Sequence, residues 1–325
     1  GPAGGIVGAA ESAAAAGFKD VVSFDMGGTS SDVADYAGVY DRANETEVAG
    51  VHLKVPMLDV HTVAAGGGSI CSYKDGAYRV GPQSAGAHPG PACYGNGGPL
   101  TVSDCNLIVG HLQASTMPHV FGPHGNAALD TGAAMARVEA IAARIKAETG
   151  NQPTVANIAF GFLQVANEHM SRAGKKISVE RGHNIKTHAM VAFGGAGGQH
   201  ATSLAGQLGI GTVLVHPLAG VLSALGIGLA RTRAVIRQSV GSALDNEGIQ
   251  AANTKLDELC NTAKKSLQDQ GVAEDEIRIH RLLHLRYQGS DTALEVAAGS
   301  IAKLQQAFED AHQQLFGFTQ PGVAI

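Results

Sequence analysis

Two short segments of this 325-residue chain place glycines at the end of an apolar run, and the first of them adds carboxylate and hydroxyl side chains. In the first, an apolar run ends in Asp25, and Asp32 follows the turn Gly27-Gly28-Thr29-Ser30. Glycine N–H groups can approach phosphate oxygens, the hydroxyls can donate hydrogen bonds, and either aspartate can hold Mg²⁺ through water. We therefore predict a phosphate-binding hairpin with Asp25 and Asp32 as catalytic carboxylates. An ordinary hairpin turn with capping hydroxyls is the alternative.

The second segment is an apolar run over residues 189–193 that leads into a glycine cluster and then into a helical pattern. A glycine turn at this point leaves room for a flat nucleoside, and the N-terminus of the following helix favours anions. We expect the glycines to bind the nucleotide, namely Gly194, Gly195, Gly197 and Gly198. A tight strand-to-helix turn in any parallel sheet would show the same pattern.

A third candidate is a metal site built on Asp59 and His61, which are two residues apart in the strand-like stretch 55–62. Alternate residues of a strand share a face, so both side chains can bind one divalent ion, and His200 could complete the set. A buried histidine hydrogen-bonded to aspartate is an equal alternative, because two ligands fall short of a closed site. Other histidines, including His183 and His188, lack carboxylate or cysteine neighbours at ligand spacing and are expected to be structural or exposed.

The loop 86–106 adds Cys93 and Asp104 among glycines and prolines. Cys93 would be a nucleophile if its pKa were lowered, although a buried thiol is the favoured interpretation. Asp104 could serve as a metal or supporting carboxylate or as the cap of the next helix, and we prefer the cap.

Apolar periodicity predicts the elements that position these residues. A hairpin is expected at 20–40, and the strand–helix–strand order over 187–216 predicts a parallel sheet. Alternation also predicts a strand at 231–240. Beyond residue 241 glycine becomes rarer and charge rises, with helices expected at 245–270 and 301–315 and strands between them.

Composition excludes several functional classes. The net charge is −5 and only 16% of residues are charged, so no basic field for nucleic acid or anionic membrane is present. The longest apolar run is shorter than the roughly 20 residues that a spanning helix needs. Four cysteines without a CxxC pair favour a reducing cytosol. Because the chain starts without Met inside a Gly/Ala segment, we expect a piece of a longer protein.

Five segments, taken in order, resemble the hydantoinase A / 5-oxoprolinase family: residues 1–8, 24–33, 59–69, 86–95 and 193–200. The resemblance implies an α/β fold of the actin-like ATPase (ribonuclease H-like) type, followed by a smaller α+β segment. In that fold the Asp25 hairpin is the second phosphate loop, and residues 193–200 form the adenosine loop. Residues 120–123 and 283–289 are most similar to the ATP-hydrolysing 5-oxoprolinases.

The same resemblance implies domains, chemistry and partners. Residues 1–240 would be a nucleotide-binding domain lacking its N-terminal half, which normally supplies a first phosphate loop, and 241–325 would begin an α+β domain. The implied activity is ATP-dependent hydrolysis of a cyclic amide, of the 5-oxoproline or hydantoin type, through phosphoryl activation of the lactam. ATP and Mg²⁺ are the implied cofactors, and a second divalent metal is an option.

The expected partners are the cyclic amide and a hydantoinase B-type region or subunit, in a cytoplasmic oligomer that binds neither nucleic acid nor membrane. Two alternatives stay open. One is a subunit of an ATP-dependent carboxylase of the acetone or acetophenone type. The other is a non-catalytic piece that only binds nucleotide or docks a subunit and is inactive when isolated.

Overall fold

The computed structural model describes residues 1–38, 40, 42–43, 46–48, 51–53, 57–181 and 183–325. Its helices, in chain order, are α1 (Pro2–Ala15), α2 (Val102–Val109), α3 (Thr131–Thr149), α4 (Val155–Arg181), α5 (Gly197–Leu208), α6 (Leu222–Leu229), α7 (Asn246–Gln268) and α8 (Ile301–Phe316).

The strands are short, and they are β1 (Asp20–Met26), β2 (Ser31–Ala37), β3 (Arg42–Ala43), β4 (Thr46–Val48), β5 (Val51–Leu53), β6 (Met57–Leu58), β7 (His61–Val63), β8 (Ser69–Lys74), β9 (Ala77–Ser84), β10 (Ala189–Phe193), β11 (Thr212–Leu214), β12 (Leu282–Leu285) and β13 (Leu294–Ala297).

A five-stranded sheet in the order β11-β10-β1-β2-β7 organises the first part of the chain. β1 pairs antiparallel with β2 and parallel with β10, and β10 pairs parallel with β11. The predicted hairpin and the predicted parallel strand–helix–strand unit are both confirmed. β1 belongs to the hairpin and also pairs with β10 of the strand–helix–strand unit. Because β1 and β10 are parallel, their carboxyl ends lie at the same edge of the sheet.

Both faces of this sheet are buried. Val22, Phe24 and Met26 of β1 join one apolar cluster with α4 and α5, whereas Val21 joins a second cluster with α1 and α6. Alternate residues of a strand point to opposite faces. A strand covered on both sides therefore needs a continuous apolar run rather than an alternating one, as β1 has before Asp25.

Helices α1 and α6 pack at unusually short range because glycines line their contact. A Cβ at Gly226 would meet the carbonyl oxygen of Gly4 and would lie 2.5 Å from the backbone nitrogen of Gly8. A Cβ at Gly8 would lie 2.7 Å from the carbonyl oxygen of Leu222. The small-residue composition of the first helix thus serves close packing.

The chain divides into two compact units, one of residues 1–179 and 183–230 and the other of residues 180–182 and 231–325. The second unit contains α7, the β12–β13 pair and α8, around a core of Tyr287, Val296, Leu304 and Phe308. The strand predicted at 231–240 is wrong, because these residues form no regular element. The assignment of 1–240 and 241–325 as domains stays a prediction.

Candidate functional site

Two carboxylates face the same side of the β1–β2 hairpin. Asp25 and Asp32 occupy directly opposed positions in the antiparallel register, one pair before the turn. The turn closes through a 3.1 Å hydrogen bond in which the Gly27 N–H donates to the Ser30 carbonyl. Directly opposed residues project to one face of an antiparallel pair. The hairpin therefore brings both predicted carboxylates together beside the glycine-hydroxyl turn.

The two carboxylates lie in different surroundings. Burial raises the pKa of Asp25, the nearby charge of Asp32 raises it further, and a hydrogen bond from Ser223 opposes both effects. The Ser223 hydroxyl donates to Asp25 Oδ2 at 3.3 Å. Asp32 is held from the other side, where the Thr62 hydroxyl donates to its Oδ1 at 2.6 Å. Ser223 lies nearly two hundred residues from Asp25, and no local sequence signal points to this contact.

The predicted adenosine turn lies directly against this hairpin. Asp25 is in register with Phe193, the last residue of β10. Gly194 follows with φ +82°, and a Cβ there would meet Asp25 Oδ1 and would lie 2.5 Å from the Met26 carbonyl oxygen. The Ala196 N–H donates to that same carbonyl at 2.9 Å. Only glycine fits at position 194, because both the backbone conformation and the close approach exclude a side chain.

Helix α5 begins immediately after this contact, and its first turn is open. Ala196 is its N-cap and offers no side-chain hydrogen bond. Gly195 and Gly198 are exposed, and a Cβ at either would meet nothing within 4 Å. The N-terminus of a helix carries unsatisfied N–H groups and a partial positive charge. Open glycines at this position leave space for an anionic ligand to approach the backbone.

A third glycine loop, residues 66–69, is hydrogen-bonded to the backbone of the hairpin turn. The Gly67 N–H donates to the Gly27 carbonyl at 3.0 Å, and the Gly68 N–H donates to the Gly28 carbonyl at 2.6 Å. A Cβ at Gly66 would lie 2.7 Å from backbone atoms of Gly28 and Thr29. The 66–69 turn lies at the end of the segment 59–69, which carries part of the family resemblance. The structure adds that its backbone fixes the position of the phosphate-type turn.

The structure places Asp59 outside a strand. β6 ends at Leu58 and pairs with β3, whereas β7 begins at His61 and pairs with β2. The argument from alternate positions of one strand therefore does not apply to Asp59 and His61. Residues 55 and 56 of the predicted strand lie outside the described residues. The grouping of Asp59 and His61 with His200 as metal ligands stays a prediction.

His200 is buried and hydrogen-bonded on both ring nitrogens. Its Nδ1 lies 2.7 Å from Asn167 Oδ1, and its Nε2 lies 2.9 Å from Asn106 Nδ2. Burial, together with the nearby His111, lowers the pKa of His200 to about 4. The contacts fit a neutral ring that donates to Asn167 and accepts from Asn106. To bind a metal ion, His200 would have to give up one of these amides.

Asp104 caps α2 from a fully buried position. Its carboxylate accepts from the backbone N–H groups of Ala92, Cys93 and Thr101 and from the Thr101 hydroxyl, at 2.7–3.1 Å. It takes part in capping, as the preferred interpretation expected, but as the third residue of α2 in a capping box whose N-cap is Thr101, and not as the residue before the helix. Cys93 is fully buried, and burial and the Asp104 charge raise its pKa. The buried-thiol interpretation of Cys93 is confirmed by its complete burial, and a raised pKa disfavours the nucleophilic thiolate.

Comparisons with known proteins agree with this architecture. Residues 1–236 match the family model described as Hydantoinase/oxoprolinase. The 5-oxoprolinase of Saccharomyces cerevisiae is 39% identical over 98% of this chain, which covers 25% of that protein. The caprolactamase subunit alpha of Pseudomonas jessenii is 32% identical over 95% of this chain and 45% of its own length. The chain thus spans about a quarter to a half of these relatives.

Two solved structures share the fold. The ATP-dependent caprolactamase from Pseudomonas jessenii superposes with a TM-score of 0.86 at 31% identity, covering 100% of this chain and 48% of its own. A nucleotide-free acetone carboxylase gives a TM-score of 0.65 at 24% identity, over 99% of this chain and 48% of its own, and shows the fold alone. The predicted α/β fold of the actin-like ATPase type is confirmed. Among the described residues, no helix is long and apolar enough to cross a membrane.

Proposed function

This chain belongs to the hydantoinase/oxoprolinase family, and from that premise we propose that it supplies ATP-binding loops to an enzyme that opens a cyclic amide. The observation that carries the proposal is the meeting of two glycine turns and two opposed carboxylates at one edge of the sheet. We assign Gly27, Gly28, Thr29 and Ser30 to phosphate binding, and Gly194, Gly195, Gly197 and Gly198 to the nucleoside side.

The side chains at the hairpin fit Mg²⁺. Asp25 and Asp32 offer carboxylate oxygens on one face, and hydroxyl oxygens of the turn lie beside them. Mg²⁺ prefers oxygen ligands and keeps several waters, so the two aspartates would hold it largely through water. When bound, the ion would neutralise charge on the phosphates.

The chain's own groups would position the reactants. Phosphate oxygens can approach the backbone at Gly28, Gly195 and Gly198, which have open space around them, and the 66–69 loop holds the hairpin turn in place. Ser223 fixes one oxygen of Asp25, and Thr62 fixes one oxygen of Asp32. Because little covalent chemistry falls to the protein in phosphoryl transfer, this fixed arrangement of donors and carboxylates is its main contribution.

A lactam resists hydrolysis because its amide is resonance-stabilised and its amine is a poor leaving group. In the proposed reaction the γ-phosphoryl group of ATP passes to the amide oxygen, one water adds to the activated carbon, and the C–N bond breaks to give an acyl phosphate. A second water then releases phosphate, so the products are the ring-opened amino acid, ADP and phosphate. We propose 5-oxoproline as the substrate, because relatives named 5-oxoprolinase are about 40% identical to this chain.

We further propose that the active enzyme requires a hydantoinase B-type region or subunit within an oligomer. The support is that one relative is named as a subunit, and that the chain covers only part of every relative compared above. The resemblance to acetone carboxylase at 24% identity supports the fold only, so the carboxylase alternative is not advanced.

The test uses the full-length protein with its partner region and follows ADP and glutamate released in the presence of 5-oxoproline. Asp25→Asn and Asp32→Asn should each lower lactam-dependent ATP hydrolysis at least about 100-fold, as loss of preorganised charge does elsewhere. His124→Ala, at an exposed histidine, is the matched control and should retain activity. Full turnover by both aspartate variants would refute the site, and ADP release that requires a ketone and bicarbonate instead of a lactam would refute the substrate class.

A further inference from the structure

A second cluster of ionisable side chains lies at the opposite end of the strands β1, β2 and β10. Asp35 of β2 pairs with Val22, near the start of β1. His188 directly precedes β10, and His183 lies five residues before His188. The glycine turns follow the carboxyl ends of β1 and β10, so this cluster belongs to a different end of the same strands. None of its three members contributes to the proposed nucleotide site.

The three side chains converge on a small volume. The Asp35 carboxylate contacts both histidines, His183 Nδ1 through Oδ2 and His188 Nε2 through Oδ1, the latter at 3.1 Å. One potential ligand atom from each of the three residues lies within 4.8 Å of the other two. Among the described residues, this is the group of three His, Cys, Asp or Glu side chains close enough to hold one metal ion. Two ligands at about 2.0–2.2 Å from one ion stand about 3.3 Å apart. The 3.1 Å between Asp35 Oδ1 and His188 Nε2 is close to this spacing, whereas His183 Nδ1 is in closer, hydrogen-bonding contact with Asp35 Oδ2.

Two atoms of this cluster are buried and unsatisfied. Within the part of the chain that the structure describes, Asp35 Oδ1 and His188 Nε2 have no hydrogen-bond partner, although they lie 3.1 Å apart. Their orientation does not form a hydrogen bond despite the short distance. The Asp35 side chain is only 1% exposed and that of His188 only 5%. The two atoms make only an ion-pair contact with each other, without hydrogen-bond geometry, and a cation between them would satisfy both.

We propose that Asp35, His183 and His188 bind a divalent transition-metal ion of the Zn²⁺ class. Two imidazoles and one carboxylate suit Zn²⁺, whereas Mg²⁺ and Ca²⁺ favour oxygen ligands alone. The His183 side chain is 28% exposed, so the ion has access to solvent on that side and completes its coordination there with water. The ion would link β2 to the segment that leads into β10.

The surroundings of His188 agree with a ligating role. Its other ring nitrogen, Nδ1, lies 3.5 Å from the Thr187 hydroxyl, which in turn donates to the Asn184 carbonyl at 2.9 Å. A ligating histidine usually has its second nitrogen held by a neighbouring acceptor, which fixes the orientation of the ring. At 3.5 Å this contact is at the outer limit of a hydrogen bond, and Nε2 is the ring nitrogen that faces Asp35.

The experiment measures Zn²⁺ binding to the full-length protein after chelation, with no nucleotide or lactam added. Equilibrium dialysis with Zn²⁺ alone, followed by elemental analysis, gives the stoichiometry, and Co²⁺ substitution reports the ligand set by its visible absorption. The wild type should retain Zn²⁺ and show a rise in Tm with Zn²⁺. His188→Ala should weaken that binding at least about 100-fold, since even second-sphere changes weaken metal sites by 10–100-fold.

His183→Gln is the second variant, in case His188→Ala does not fold. The His183 side chain is partly exposed, so its replacement disturbs the core less. The matched control is His124→Ala, at an exposed histidine outside the cluster, which should bind Zn²⁺ as the wild type does. Equal Zn²⁺ retention by wild type and both cluster variants, or no Zn²⁺-dependent change in Tm, would overturn the proposal. Either result leaves the nucleotide site untouched, because the measurement involves no ATP.

Discussion

Asp25 and Asp32 stand directly opposite each other across an antiparallel strand pair, one pair before the turn that joins the strands. Seven positions apart in sequence, they share a face only because the hairpin register pairs them. On the other side of β1, the parallel pairing with β10 places Phe193 beside Asp25. One strand thus aligns the carboxylates with the second glycine turn, and this alignment is sensitive to changes in the glycines that allow it.

Gly194→Ala should be far more damaging than Gly195→Ala. Position 194 has φ +82°, and a Cβ would meet Asp25, whereas position 195 has open space. We expect Gly194→Ala to destabilise the protein by about 1–3 kcal/mol, as left-handed strain does, and to weaken ATP binding. Urea denaturation and ATP titration of the two variants test this, and equal behaviour of the pair would contradict the arrangement of the turn.

A second glycine pair tests the packing of α1 against α6. Gly226→Ala should destabilise by on the order of 3 kcal/mol, because its Cβ would meet the backbone of Gly4 and Gly8. Gly228→Ala, two residues on in the same helix, should be neutral or stabilise by up to about 1 kcal/mol, since nothing lies within 4 Å. Thermal or urea unfolding separates the two. Similar stability of both variants would show that the helices do not approach so closely.

Buried His200 predicts a loss of stability on acidification. Its pKa is about 4 when folded and near 6.5 when unfolded, so between these values the unfolded chain binds the extra proton. Stability from this group is complete above about pH 6.5 and falls as pH drops toward 4. The loss from about pH 7.5 to about pH 5 should be about 2 kcal/mol.

The control for this effect is His200→Gln, which cannot titrate and should lose that part of the pH dependence. The quantity to compare is the change in free energy of unfolding between the two pH values in wild type and variant. Identical pH slopes would mean that His200 titrates normally in the folded protein.

Thiol reactivity should single out Cys260. Cys71, Cys93 and Cys105 are buried, and burial raises the pKa of Cys71 and Cys93, whereas Cys260 is partly exposed. In the native protein a thiol reagent should modify Cys260 rapidly and the other three only after unfolding, because the thiolate is the reactive form. Cys260→Ser should abolish the rapid phase. A rapid phase that persists in this variant would reopen the interpretation of Cys93 as a nucleophile.

The glycine turns and the strands before them could be predicted from the sequence because their signals are local. An apolar run that ends in Asp25 before two glycines predicts a strand and a turn, whatever the rest of the chain does. That Asp104 helps to cap the next helix was predictable for the same reason, although the structure begins α2 at Val102 and makes Thr101 its N-cap. The strand at 231–240 failed because alternation alone does not supply a pairing partner.

What the sequence by itself determined, then, is the set of phosphate-type turns, the family resemblance and the order of helices and strands around them. The tertiary structure decided which distant groups meet: Ser223 with Asp25, two amides with His200, and Asp35 with His183 and His188. His183 and His188 were expected to be structural or exposed because no carboxylate or cysteine lies near them in the sequence. Their partner, Asp35, is 148 residues from His183 and meets it only in the folded chain. Local backbone preferences act over a few residues, whereas such contacts exist only after sheet pairing has closed the long loops between them.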